Sequence, residues 1–253
     1  MGKVIAIATQ KGGVGKTTTT IELGTNLTLL GKKVLVVDLD QQGDTTRSVN
    51  GLLTNGIYQV LNVESYIKDV IQKTPYFDLI CSSRQLSSVD RTFTDRDDIY
   101  ILADALAEIK DEYDYILIDN NPDLGMLFTM SIVAADYVII PTECDRNSLN
   151  GIRETEAIIN KLRNNRNKDS KAEILGYILT KKESTNVHII AFDELEELAE
   201  EKAEKPFVTY ITKGIKVSES KITCVPVSYA YKGCTQAREY FATAEEIIHR
   251  VEE

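Results

Sequence analysis

The sequence predicts an α/β fold, a mainly parallel twisted sheet with helices on both faces. Seven short runs are apolar over most of their length, with no polar alternation. Segments with helical spacing lie between most of them, and a glycine-rich stretch joins the first run to the first such segment. A strand that is apolar on both sides needs cover on both faces, which is the situation of a parallel strand between two helix layers. The 253 residues are enough for one well-buried domain. No internal repeat or Pro/Gly/Ser-rich linker divides the chain, so 1–253 is expected to be a single domain.

Residues 4–8 (VIAIA) form the first strand run, and residues 17–30 carry the first helical pattern. Residues 34–37 (VLVV) form the second strand, which leads into Asp38-Leu39-Asp40. Residues 44–75 are the least patterned; Gly51, Asn55-Gly56 and Pro75 punctuate short helices or loops there. Strands are then expected at 77–80, 115–118, 137–140, 174–179 and 207–211. Helices are expected at 99–109, 149–162, 187–203 and 235–251.

Composition excludes several classes. A chain with 43% hydrophobic and 27% charged residues is neither collagen-like nor largely disordered. No apolar run approaches the ~20 residues that span a bilayer, and the N-terminal run gives way too soon to Gln10-Lys11 for a secretory signal. Cys81, Cys144, Cys224 and Cys234 form no CxxC pair, and only His188 and His249 could join them. A zinc site is therefore not expected, and reduced cysteines in a cytoplasmic protein are.

The chemistry sits in Gln10-Lys11-Gly12-Gly13-Val14-Gly15-Lys16-Thr17-Thr18, placed after a strand and before a helix. That is the setting of a phosphate-binding loop. Glycines let successive N–H groups approach phosphate oxygens without a Cβ in the way. The helix that follows offers its positive end to the same anion. Lys16 would bring a point charge to the β- and γ-phosphates, and the Thr17 hydroxyl is placed to ligate Mg²⁺. A P-loop NTPase that takes ATP and Mg²⁺ is the expectation.

One position departs from GxxxxGK[ST]: Gln10 stands where the first glycine would be, and Lys11 adds a second lysine. In this the loop resembles the deviant Walker A ATPases, which include the ParA/Soj partition proteins, MinD and, more distantly, the nitrogenase iron protein. The resemblance implies that Lys11 reaches across a homodimer interface to the partner's ATP, as an arginine finger does. Residues 34–43, VLVVDLDQQG, resemble that family's strand ending in DxDPQG, with Gln41 for the proline. Asp40 would then orient the attacking water near Mg²⁺. Tyr115-Ile116-Leu117-Ile118-Asp119 has the Walker B form, so Asp119 would hold Mg²⁺ through water. Asn121 replaces the first of two prolines usual after that aspartate, which affects the loop that senses the γ-phosphate. Residues 134–141 and 148–152 match the partition-protein pattern. Residues 211–219, ITKGIKVSE, resemble its IPRNVRLSE, where proline and asparagine contact adenine; Thr212 and Gly214 stand there and would use backbone contacts.

Three branches of the family compete. A MinD-like membrane ATPase would end in a basic amphipathic helix, whereas this chain ends in AEEIIHRVEE, amphipathic but acidic; an ATPase that positions a protein cluster stays as the alternative. That helix is expected to pack on the domain, with no membrane contact. An iron-protein reductase would need cysteines in glycine-rich settings, and Cys81 and Cys144 (before Asp145) are not so placed. The ParA/Soj branch implies an ATP-bound homodimer, non-specific DNA binding and a ParB-like centromere-binding partner, with nucleoid association when ATP is bound. The chain carries a net charge of −10, which opposes a uniformly basic surface. Much of the excess is local, because residues 193–204 hold seven acids and one base. Residues 161–183 carry seven bases against three acids, and 205–221 carry four against one. Lys181, Lys182, Lys213, Lys216 and Lys221 are the candidate phosphate-backbone contacts, since local rather than global charge decides such binding. The chain opens on the ATPase strand itself, so no N-terminal helix-turn-helix and no operator-specific binding are expected.

Overall fold

The computed structural model describes residues 2–123, 125–144 and 148–252, with only the backbone of Ser148. Leu124 and Asp145 lie outside the described residues. The strands are β1 (Lys3–Ile7), β2 (Val34–Asp38), β3 (Ile71–Lys73), β4 (Asp78–Ile80), β5 (Tyr115–Asp119), β6 (Tyr137–Glu143), β7 (Glu173–Lys182) and β8 (Phe207–Thr212). They form one sheet in the order β3-β4-β2-β5-β1-β6-β7-β8, parallel except for β3. The helices are α1 (Lys16–Leu29), α2 (Asp44–Ser48), α3 (Ile57–Leu61), α4 (Val89–Thr92), α5 (Ile101–Ala107), α6 (Met126–Ala134), α7 (Ser148–Asn164), α8 (Asn186–Glu200), α9 (Ile215–Thr223), α10 (Val227–Ala230) and α11 (Thr235–Glu252).

Alternation along the strands feeds two cores. Val4, Ala6, Leu35, Val37, Ile116 and Ile118 pack with residues of α5 and α6 on one face. Ile5, Ile7, Val34, Val36 and Leu117 pack with α1 and α11 on the other. Each central strand is thus buried on both sides, which is why it reads as a continuous apolar run. The seven expected strands are present, as are helices at the five patterned segments. Helices α4, α9 and α10 were not expected, and two further elements, β3 and α6, went unforeseen for opposite reasons. Strand β3 is three residues long and partly exposed at the sheet edge, so it has no apolar run. Helix α6 is buried almost all round (MLFTMSIVA), so it has no polar face to give a helical period.

The C-terminal helix packs on the domain as expected. Its Tyr240, Ala244, Ile247 and Val251 lie in the core shared with α1, so its apolar face is already covered. Among the described residues, no helix is long and apolar enough to cross a membrane. Helix α1 is further tied to the C-terminal region by a buried carboxylate. Glu22, 1% exposed, accepts from the N–H groups of Val227 (2.6 Å) and Ser228 (2.9 Å). Replacing it with alanine leaves two buried donors without partners, so Glu22→Ala should destabilise the fold by about 2–4 kcal/mol. Urea unfolding would measure this, and Glu22→Gln, which keeps one acceptor oxygen, should recover part of the loss.

Candidate active site

The carboxyl ends of three adjacent strands meet where α1 begins. Ile7 of β1 and Asp38 of β2 both stand in register with Asp119 of β5. Open parallel sheets place ligands at this edge. The turn from β1 into α1 uses two glycines in the left-handed region, Gly13 at φ +78° and Gly15 at φ +89°. A Cβ added at Gly12 or Gly13 would meet nothing within 4 Å, so the loop is open on that side. Val14 is buried and anchors it.

Lys16 is 7% exposed, and its Nζ donates to Lys11 O at 2.9 Å. Burial pulls the Lys16 ammonium below its ordinary pKa, while the charges of Asp119, Asp40 and Asp123 act in the opposite direction. The Thr17 hydroxyl donates to Asp119 Oδ2 at 2.9 Å. Thr45 Oγ1 donates to the same oxygen at 2.7 Å, and Thr20 Oγ1 to Oδ1 at 3.2 Å. Asp119 has no exposed surface, and burial raises its pKa to about 6 although Thr45 and Thr17 oppose the shift. Asp38 beside it is raised further, to about 8, by burial and by the Asp119 charge. It accepts from Thr46 N–H (2.8 Å), Thr46 Oγ1 (2.6 Å) and Asp40 N–H (3.2 Å). Two carboxylates so close and so deeply buried call for a cation beside them.

The donor set fits magnesium. Thr17 and Asp40 line the cleft and Asp119 is hydrogen-bonded to Thr17, and the hydroxyl and carboxylate oxygens of all three are hard ligands. Among the described residues, no group of three or more His, Cys, Asp or Glu forms a closed metal cage. Mg²⁺ needs none, since it takes one or two carboxylates and completes its shell with phosphate oxygens and water. The cleft in front of the loop has a volume of about 820 Å³, within the range of small-molecule sites. Gly12, Gly13, Gly15, Lys16, Thr17, Thr18, Asp40, Thr212 and Gly214 all line it.

The structure thus brings together most of the expected site residues. Lys11 is half-buried, near the start of α7, where a Cβ on Gly151 would lie 3.9 Å from its own. The Thr212 N–H donates to Glu239 Oε2 at 2.7 Å and its hydroxyl donates to the same carboxylate. Both Thr212 donors are therefore engaged within the chain. A Cβ at Gly214 would lie 2.4 Å from the Gln236 side chain, so glycine there makes room for α11. The missing proline at 121 has a local substitute: Asn121 Oδ1 accepts from Asp123 N–H at 2.9 Å, closing an Asx turn.

The five surface lysines divide. Lys181, Lys213 and Lys221 line the cleft itself. Lys182 lies 4.1 Å from the centre of the Tyr210 ring. Lys216 lies 4.5 Å from that of Tyr231 and bonds Glu219 at 2.7 Å. Sequence reasoning missed Asp38, Thr20, Thr45 and Thr46. The signal for Asp38, Thr45 and Thr46 was present in Asp-Leu-Asp at a strand end followed by Gly-Asp-Thr-Thr, and that for Thr20 in the run of four threonines after Lys16.

Comparison with known proteins agrees with this geometry. Residues 2–172 match the AAA_31 family, described as an AAA domain. The chain is 34% identical to the chromosome-partitioning ATPase Soj of Treponema pallidum, covering 99% of this chain and 98% of that protein. It is also 34% identical to the chromosome partitioning protein ParA of Caulobacter vibrioides, over 98% and 94% of the two chains. Among solved structures, cobyrinic acid a,c-diamide synthase from Mycobacterium smegmatis with bound ADP and magnesium superposes with a TM-score of 0.82. That match has 26% identity and covers 100% of this chain and 96% of that one. With a phosphate loop and a buried lysine lining one cleft and paired aspartates buried beside them, the chain belongs to the AAA_31 family and, within it, to the ParA/Soj-type P-loop ATPases.

Proposed function

We propose that this ATPase is a ParA-like DNA-partitioning switch in which ATP binding joins two copies into a dimer that binds DNA without sequence preference. Hydrolysis, slow in the protein alone and stimulated by a ParB-like centromere-binding partner, resets it. The observation that carries the proposal is the convergence of Lys16, Thr17 and Asp119 at one strand edge, in a chain that aligns end to end with a chromosome-partitioning ATPase.

Lys16 and the loop amides hold the β- and γ-phosphates, and Thr17 and Asp119 hold the metal. Magnesium, when bound, neutralises charge on the phosphate oxygens. Asp40 orients the attacking water. Lys11 acts in the second protomer's site, so each site is complete only in the dimer. The protein works in the cytoplasm and is nucleoid-associated when ATP is bound.

DNA retention on a filter or column, compared with ATP, ADP and no nucleotide, tests the switch. Retention only with ATP is expected, and equal retention in all three conditions would remove it. Lys11→Ala should bind ATP yet form no ATP dimer and lose DNA retention. For the contact surface, the Lys213→Ala/Lys216→Ala pair should weaken binding to every DNA sequence. Its log–log salt dependence should become shallower by about one unit per lost phosphate contact. An unchanged slope would remove these lysines from the DNA surface.

A further inference from the structure

Strand β7 ends in a bulge beside the phosphate loop. Leu179 pairs with Tyr210 and Lys182 with Thr212, so β7 has one more residue than β8 between those pairs. Lys181 lies in the extra turn at φ +54°, a conformation uncommon for a residue with a side chain. In a regular strand, Thr180 and Lys181 would point to opposite faces. The bulge re-aims one of them, as bulges near active sites do.

Both side chains consequently reach the loop. Thr180 Oγ1 shares its hydrogen between Val14 O at 2.8 Å and Thr142 O at 3.0 Å. Lys181 Nζ donates to Gly13 O at 2.9 Å and is paired with Glu143 Oε1 at 2.5 Å. Two consecutive loop carbonyls are thereby held by two consecutive β7 residues. In a trans peptide the N–H points opposite to the carbonyl it follows. Holding the carbonyls of Gly13 and Val14 therefore fixes the Val14 and Gly15 N–H groups on the opposite side, as donors for an anion.

We propose that Lys181 is a positioning residue for the phosphate loop: anchored by Glu143, its ammonium holds the Gly13 carbonyl so that the loop amides are set before nucleotide arrives. The proposal rests on the nucleotide reading of the cleft, and it places Lys181 in the ATP site rather than on the DNA surface. The Lys181 side chain is 52% exposed, so water competes for the bond and the effect is moderate.

Binding of ATP with Mg²⁺ by calorimetry, in wild type and three variants, tests it. Lys181→Met should weaken ATP binding about tenfold, the scale of one charge-assisted hydrogen bond discounted for exposure. KM should rise with it, while turnover at saturating ATP and the unfolding midpoint without nucleotide stay unchanged. Lys181→Arg should recover most of the affinity. Glu143→Gln should weaken binding too, because it loosens the anchor. If the ammonium were instead a direct phosphate ligand, Glu143→Gln would release it and tighten binding; that result overturns the proposal, as does an unchanged Kd for Lys181→Met. A wild-type chain that fails to bind ATP would overturn the nucleotide reading itself.

Discussion

Lys16→Ala is expected to lose ATP binding by about 10²–10³-fold, the scale of removing one partner from a buried, hydrogen-bonded charge pair. The side chain is 7% exposed, so its attraction for a phosphate is little screened by water. It also offsets Asp119 and Asp40, which stand close enough to shift its own titration. Without it, an incoming triphosphate meets the charges of Asp119 and Asp40 with no buried ammonium to offset them. Lys16→Arg should fail as well, because a planar guanidinium needs more room than this enclosed position gives. Calorimetric titration with ATP measures the loss directly. Affinity within tenfold of wild type would show that the phosphates do not lie against Lys16.

Asp40→Ala should act on a different step. Turnover is expected to fall by at least about a hundredfold, the effect of losing a group that positions or activates the attacking water. Affinity for ATP should be held or improved, since the substitution removes a negative charge beside the phosphates. Loop geometry does not depend on the carboxylate alone. Asp40 O accepts from the Gly43 N–H at 2.8 Å and from the Ser82 hydroxyl, and the Asp40 N–H donates to Asp38. What the side chain does bond is the Gln42 N–H, at 2.9 Å, so Asp40→Asn should preserve the turn while still losing turnover. Phosphate release under ATP saturation separates the two steps. Normal turnover in Asp40→Ala would remove Asp40 from its assigned role.

Much of this was legible in the chain because the phosphate loop is contiguous: Gly12, Gly13, Gly15, Lys16 and Thr17 stand together in the sequence and line one cleft. Asp119 was legible because an all-apolar strand ends on it, and its burial in the structure follows from that strand's central place in the sheet. Thr45 was not, since its hydroxyl reaches Asp119 from a helix 74 positions away. Lys181 was assigned to a basic stretch because a bulge leaves no trace in residue types. Strand periodicity alone would have sent it away from the loop that Thr180 touches. The same limit applies to α6, whose burial on nearly all sides erases the period by which a surface helix is recognised.

The net charge of −10 bears on the switch as well. Under the proposed switch, each copy would repel DNA overall and offer it only local basic patches, so affinity should depend on pairing two such patches in one particle. Asp40→Ala, which should hold ATP without consuming it, isolates that step. Light scattering of this variant in solution with ATP and Mg²⁺ should give twice the mass of the chain, and with ADP or no nucleotide the mass of one chain. A single-chain mass in all three conditions would contradict an ATP-driven dimer.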